Sequence, residues 1–440
     1  MKHGWRSTAA LVRCGLGSLS LVVLAVVVGR PDLLVLAVPL LVFTAGGIWQ
    51  RPAEAPRLVT NLVHSTLREG EGTAVRATLT HAEGVEHAVM ALSPHRFVAA
   101  KPPTGVRGVT VIVPAVTVLL DAPIGSMRWG RRSVGDGLVA ATSAWGGFRW
   151  GPVEMFASTL TTLPMPGHFD SRAPTPHPVG LVGINPARRI GDGTAFASIR
   201  RFTAGDRLKR VQWRVSLRTG NLHVTSTLAE EDSSILLIVD AVADIGVSGG
   251  TTGPSSSLDV AVRAAGAVAE HYLRRGDRVG LRVLGTTKRS LVAMGAGNTH
   301  LRRVLDTLAQ IVPGATVAAG STAGAGQVDP ARMQFGASAG TTVIMLSPML
   351  SDEAISATVT LARRGLSVIV VDTIPEHLDL GEPDPKRDVA WRLRMLERDG
   401  LLRKVAVAGI PVVAWRGPGT LDEVLRKLGR RAAMPRMVRR

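Results

Sequence analysis

The chain has 440 residues, 45% of them hydrophobic and 20% charged, a balance that excludes wholesale disorder and leaves room for two or three domains. Its formal net charge of +18 invites a nucleic-acid reading, yet the excess sits in three places: residues 1–51 carry net +4, 188–222 net +7 and 430–440 net +5. The rest is nearly neutral, and a single cysteine, Cys14, excludes an intramolecular disulfide and a Cys-ligated zinc site.

Two apolar runs open the chain, Cys14–Gly29 and Leu33–Trp49, separated by the turn-forming Arg30-Pro31-Asp32. At about 1.5 Å per residue each run reaches roughly 24–26 Å, slightly short of a hydrocarbon core of about 30 Å, a gap that Arg13 and Trp49 can bridge at the interfaces. A cleaved signal peptide fits less well, because a second apolar run follows at once. Lys2, Arg6 and Arg13 flank one end and Arg51 and Arg57 the other, whereas the turn holds only Arg30. The pattern predicts a two-helix membrane anchor over residues 1–52, with both ends cytoplasmic.

Residues 53–165 read as a small β-sandwich. Val75–Thr80, Val109–Val113 and Val116–Leu120 are β-branched and alternating between Gly, Pro and charged breaks. Pro164, Pro166, Pro174, Pro176 and Pro178 mark a linker, so 166–232 is taken as linker plus an Arg-rich segment.

Over 233–429 short apolar runs alternate with helical stretches. Ser234–Asp240, Val279–Gly285, Thr341–Ser347, Ser367–Asp372 and Ile410–Trp415 suit buried strands. Leu258–Arg275, the segment after Asn298, Ser351–Gly365 and a last helix opened by Thr420-x-x-Glu423 suit helices. Alternation of this kind predicts a doubly wound α/β sheet. Two Gly/Ser/Ala-rich stretches, Gly246–Ser257 and Pro313–Gly326, read as mobile rim loops, and 430–440 as a basic tail.

Catalytic motifs are scarce: no phosphate-binding GxxxxGK[ST] loop and no HExxH occur, no nucleophile elbow is expected, and the 11 histidines are scattered. At the carboxyl ends of the strands, Asp240, Asp244 and the Thr299 hydroxyl are the candidate oxygens for a hard cation such as Mg²⁺. Otherwise Asp240 caps a turn and Thr299 belongs to a helix start. The unusual segment is 200–231, where Arg200, Arg201, Arg207, Lys209, Arg210, Arg214 and Arg218 recur around Phe202 and Trp213. Nucleic-acid binding is disfavoured there, because aromatic platforms are few. A guanidinium surface that grips carboxylates of a partner or of an adjoining domain, and a solvated strand-turn-strand face, are the other two readings.

This segment resembles the domain of unknown function (DUF) 58 family, whose signature runs R-x-Y-x-x-G-D-x-x-R-x-I-x-W-x-x-S-A-R. Here it stands as Arg200, Phe202, Gly205, Asp206, Lys209 or Arg210, Val211, Trp213, Ser216, Leu217 and Arg218, with Arg214 inside it. Ala144-Trp145-Gly146-Gly147-Phe148 looks like a degraded copy of a second family motif, D-P-F-G-L-F. The resemblance implies two membrane helices, a β-rich region and a von Willebrand A-like C-terminal domain. It also implies a non-enzymatic adaptor or assembly role, with a MoxR-type AAA+ ATPase as the protein partner. Von Willebrand A domains hold Mg²⁺ through D-x-S-x-S, a second-loop Thr and a third-loop Asp. Here Asp240-Ala241-Val242-Ala243-Asp244 lacks both serines and Pro348 stands near the third position, with Asp352 further along. The expectation is therefore no cofactor and no small-molecule substrate, with an Mg²⁺-dependent binding module as the alternative and an unrecognised enzyme after it.

Overall fold

The computed structural model describes residues 4–93, 95–100, 108–112, 115–165, 186–230, 234–285, 291–312, 336–337, 341–417 and 419–426. The expected basic tail, most of the proline linker and the Pro313–Gly326 stretch lie outside the described residues. The chain divides into two units, Met1–Leu163 and Pro164–Arg440.

The first unit begins with two apolar helices. Helix α1 (Ala9–Val28) is capped by the Thr8 hydroxyl, and Gly29, at φ +70°, ends it in the left-handed region that an L side chain resists. Helix α2 (Asp32–Trp49) follows after three residues and carries Pro39 inside it. Starting at Ala9 rather than Cys14, α1 reaches about 30 Å, enough to match a hydrocarbon core. Both helices are long and apolar enough to cross a membrane. They pack antiparallel through small residues: a side chain at Gly15 would meet Thr44, at Gly17 Leu40, and at Gly47 Leu11.

Three sheets follow. One orders Arg6–Ser7, Phe148–Met155, Gly137–Ser143, Val85–Leu92 and Gly108–Ile112 side by side. A second runs Arg57–Leu62, Gly72–Thr80, Thr117–Ser126, Val98–Ala100. The third joins Thr66–Arg68, Ser158–Leu163 and Gly130–Val134. Alternate residues of the two larger sheets turn into one core: Val75, Ala77, Leu79, Val118 and Leu120 from one, and Val85, Ala88, Met90, Val139, Ala141 and Trp150 from the other.

The helix pair is bonded directly to this β-rich part. Arg6 and Ser7 pair with Arg149 and Phe148, and the Thr8 N–H and hydroxyl donate to Gly147 O at 3.0 Å and Gly146 O at 2.8 Å. Trp145, held at φ +60°, lies within 3.5 Å of where a Gly46 side chain would stand and edge-on to Phe43, with ring centroids 6.4 Å apart. Thus the Ala144–Phe148 turn picked out in the sequence is the joint between the helix pair and the sheet.

The second unit opens with a two-stranded antiparallel pair, Pro186–Arg201 with His223–Glu230; helix α3 (Trp213–Thr219) lies between them in the chain. A six-stranded sheet follows, its strands numbered β1 (Ser234–Asp240), β2 (Arg278–Leu284), β3 (Leu291–Gly295), β4 (Thr342–Ser347), β5 (Ser367–Asp372) and β6 (Val412–Ala414). Their order across the sheet is 3-2-1-4-5-6, all parallel except β3, which runs antiparallel to β2. Helices α4 (Ser257–Arg274), α5 (Asn298–Leu308), α6 (Asp352–Arg363) and α7 (Pro385–Val407) connect the strands. The result is a mixed α/β, doubly wound sheet whose strand order reverses between β1 and β4.

The continuous apolar runs are strands buried on both faces. Leu236, Ile238, Val343, Met345, Val368 and Val370 pack with Ala354, Ala357 and Leu361 of α6 and Val405 of α7. The intervening Ile235, Leu237, Val239, Ile344 and Leu346 are buried too, and α4, in contact with β1, β2 and β4, packs against α5. Among the described residues of this unit, four elements were not foreseen: the long strand Pro186–Arg201, helix α3, the edge strand β3, and α7 with its 23 residues. The glycine-rich loop after Asp244 is pinned, with Gly249 N–H donating to Pro254 O at 2.8 Å, Ser257 N–H to Ile245 O at 2.8 Å and Arg263 to Gly250 O at 3.2 Å.

Candidate functional site

The Arg-rich signature folds as strand, tight turn, short helix and returning strand rather than as strand-turn-strand. Arg200, near the end of its strand, grips Asp206 with both terminal guanidinium nitrogens, at 2.7 and 2.5 Å, and also donates to the Thr203 hydroxyl at 3.0 Å. Asp206 further accepts the Thr203 N–H at 2.8 Å and its hydroxyl at 3.0 Å. Gly205, at φ +106°, makes the reversal between them. The Arg200 guanidinium first, and the Thr203 N–H after it, hold the Asp206 carboxyl well below the ordinary carboxylate range.

A lowered folded-state pKa means that the ionised Asp206 supports the fold above the unfolded pKa of about 4, and that this support is lost as pH falls toward the folded value. The Asp206→Asn variant is therefore expected to melt below wild type at pH 7, with the gap closing as the pH is lowered through 4. A gap independent of pH would show that the ionised form contributes nothing.

Val211 bridges to Val224, and Leu208–Arg210 form a single 3-10 turn. Ser216 then ties α3 to the returning strand: its hydroxyl donates to Gln212 O at 2.8 Å and accepts the His223 N–H at 2.9 Å. Gly220, in the left-handed region, ends the helix. This stitching turns the remaining face outward. Trp213, Arg214, Leu217 and Arg218 fall within about 140° of one another around α3, and all are exposed, Trp213 at 61% and Leu217 at 83%. Arg210 beside them is half-buried. The candidate residues thus separate into a hydrogen-bonded scaffold of Arg200, Gly205, Asp206 and Ser216, of which only Ser216 is buried, and an outward surface of one indole, one leucine and guanidinium groups. Such a surface can desolvate an apolar anchor while pairing with carboxylates around it.

The other candidates lie on the α/β sheet and do not converge. Asp240 ends β1, buried, and its carboxylate is fully engaged: one oxygen accepts the Ser347 hydroxyl at 2.6 Å and the Ser351 hydroxyl at 3.1 Å, the other the Val242 N–H at 3.1 Å. Burial raises its pKa against the pull of those donors. Asp244 turns toward the start of α4, accepting the Leu258 N–H at 3.1 Å. Thr299 stands at the other end of the sheet. Gly295 pairs with Val279, which pairs with Ile235, so the start of α5 adjoins the amino end of β1, five residues and roughly 17 Å from Asp240. His300, next to Thr299, hydrogen-bonds to Val279 O at 2.8 Å and fixes that placement. Because β3 runs antiparallel, the loop after it returns to the wrong rim for a three-loop cation site. Among the described residues no group of three His, Cys, Asp or Glu side chains is placed to hold a metal ion.

The sequence reading missed the carboxylate that does approach Asp240. Glu353, in the first turn of α6, has its pKa raised by partial burial and by the Asp240 charge, against the Gly285 N–H and the Arg282 charge. The loops after β1, β2 and β4 are thereby cross-tied. Gly285 lies so close to Val242 that a side chain there would overlap its backbone. Two Gly-x-Ser-x-Gly strings, overlooked in the sequence, are Gly246–Gly250 and Gly336–Gly340. Ser248 of the first is buried in a loop, accepting the Gly250 N–H at 3.3 Å, and follows no strand directly; Ser338 lies outside the described residues.

Comparison with known proteins agrees with the signature. Residues 198–384 match the family described as "Protein of unknown function DUF58". The uncharacterized protein Mb1516 of Mycobacterium bovis is 28% identical over 119 residues, which is 27% of this chain and 37% of that protein. The uncharacterized protein Rv1480 of Mycobacterium tuberculosis matches to the same extent. The chain thus spans little more than a third of the length of the curated relatives it matches. Among solved structures, the cupredoxin domain of amoB from Nitrosocaldus yellowstonii aligns at 10% identity and a TM-score of 0.17, covering 25% of this chain and 88% of that one.

Proposed function

We propose that this protein is a membrane-anchored, non-enzymatic adaptor or assembly factor that works through protein–protein contacts, with a MoxR-type AAA+ ATPase as its partner. The observation that carries the reading is the outward face of α3, where Trp213 and Leu217 stand exposed among Arg214 and Arg218 on a turn braced by Arg200–Asp206 and Ser216. An exposed indole and leucine framed by guanidinium groups is costly to leave in water and suits an acidic, partly apolar partner surface. In this reading α1 and α2 are the anchor, with both chain ends cytoplasmic by the distribution of basic residues. The six-stranded unit is a von Willebrand A-like domain, a reading supported by its doubly wound order and by Asp240 closing its first strand. The polar groups on its rim are occupied with one another, which suits a scaffold.

The test is capture of a purified MoxR-type ATPase by the full-length protein in detergent, with and without nucleotide. Wild type is expected to retain the ATPase. Trp213→Ala/Leu217→Ala and Arg214→Glu/Arg218→Glu are expected to lose at least tenfold in affinity at unchanged melting temperature. Retention by both variants at the wild-type level would remove the α3 face from the interaction, and failure of wild type to bind would remove the ATPase.

A further inference from the structure

Helix α7 is apolar on two opposite sides. Trp391, Arg398 and Val405, seven residues apart, lie on the packed side: Arg398 and Val405 are buried, and Trp391 is partly so. Around the other side Val389, Leu393, Leu396, Gly400, Arg403 and Val407 step by four, three, four, three and four residues, a heptad spacing over about 27 Å of helix. The four apolar side chains of that stripe are 56–89% exposed, and a side chain at Gly400 would meet nothing within 4 Å.

We propose that this stripe is the seam of a homodimer, in which α7 packs antiparallel against α7 of a second copy. The charges bordering the stripe favour a second copy of this helix as the occupant, and Arg403 within the stripe sets the orientation. Arg392 and Asp399 line one border, Glu397 and Lys404 the other. An antiparallel pairing centred near residue 398 sets Glu397 toward Lys404 of the second copy and Arg392 toward Asp399 of the second copy, and each contact recurs by symmetry. Glu397 is within reach of such exchange, being paired here with Arg394 at 3.2 Å in an exposed ion pair. In the same pairing Leu396 fills the space beside Gly400, Val389 meets Val407, and the Arg403 stem lies along Leu393. The parallel alternative stacks Arg403 on Arg403, a like-charge contact inside the seam.

The full chain in detergent, studied by light scattering coupled to size exclusion and by thiol crosslinking, decides the matter. Wild type is expected to be dimeric. Leu393→Glu/Leu396→Glu is expected to be monomeric, Glu397→Lys to weaken the dimer at least tenfold, and Glu397→Lys/Lys404→Glu to recover it. With Cys14→Ser as background, Leu396→Cys/Gly400→Cys is expected to crosslink between copies and Leu393→Cys alone to remain uncrosslinked. A monomeric wild type overturns the proposal, as does a dimer untouched by Leu393→Glu/Leu396→Glu. Crosslinking through Leu393→Cys alone overturns the antiparallel seam, and stripe substitutions that change only retention on phosphatidylglycerol vesicles would assign the stripe to lipid instead.

Discussion

Replacing Arg398 with alanine is expected to lower the stability of the six-stranded unit by about 3 kcal/mol, read as a fall of roughly 6–12 °C in melting temperature. Arg398 is only 4% exposed, yet it carries a charge. One guanidinium nitrogen stands 2.6 Å from the Asp372 carboxylate at the end of β5, and another donates to Pro348 O at 2.6 Å in the loop after β4. The side chain thus clips α7 to two adjacent strand ends. Alanine leaves a cavity, an unmatched carbonyl and a largely buried carboxylate without its counter-charge. The loss from removing one partner exceeds the net worth of the pair, because the other charge then remains desolvated. Hence Asp372→Asn/Arg398→Met should sit closer to wild type than Arg398→Ala alone, since methionine keeps the volume and asparagine keeps an oxygen for the Ile374 N–H. Equal stability of the double variant and Arg398→Ala would assign the effect to packing instead of charge.

Asp240→Ala is expected to cost about 2–3 kcal/mol, whereas Asp240→Asn costs under about 1 kcal/mol. Alanine removes the acceptor for two hydroxyls and one N–H at once, and the Ser347 hydroxyl has no solvent to turn to. Asparagine keeps the shape and an oxygen for the Val242 N–H, and its amide can donate to the serines. The pH dependence separates the two effects. Because burial raises the pKa of Asp240, the folded state binds the extra proton between the unfolded pKa of about 4 and the raised value, so the group's support is full at low pH and is lost as pH rises through that window. Asp240→Asn should therefore gain on wild type as pH rises. Thermal melts from pH 4 to 8 that show a constant offset would mean that Asp240 is no more difficult to ionise folded than unfolded.

The parallel strands were legible in the sequence because both of their faces are buried. Ser234–Asp240 and Ser367–Asp372 read as unbroken apolar runs and fold as strands over those same residues. Helix α4 was legible from a single apolar stripe and its stop at Gly276. Helix α7 was not, because its two opposed apolar stripes cancel the one-sided periodicity by which a helix is recognised; Asp384 as cap and Pro385 at the first turn were the available signals. In the signature, Arg200, Asp206 and Ser216 could be singled out by spacing, but α3 is only seven residues long and rich in residues that alternate as a strand does. The Asp240–Ser347 and Asp240–Ser351 contacts join residues more than a hundred positions apart, and no local pattern announces them. The misplacement of Thr299 is of another kind. Chain order assigns it to the rim that holds Asp240, and only the reversed direction of β3 takes it away.

The joint at Thr8 and Trp145 sets how mechanical load passes through the molecule. A tether of free residues would let the β-rich part swivel beneath its helices. Here Arg6 and Ser7 belong to the sheet, Thr8 begins the helix, and the Ala144–Phe148 turn leans on the far end of the second helix. Whatever tilt the helix pair adopts, the sheet must adopt with it. A pull on the β-rich part therefore becomes a torque on the helices, like a wrench on a bolt.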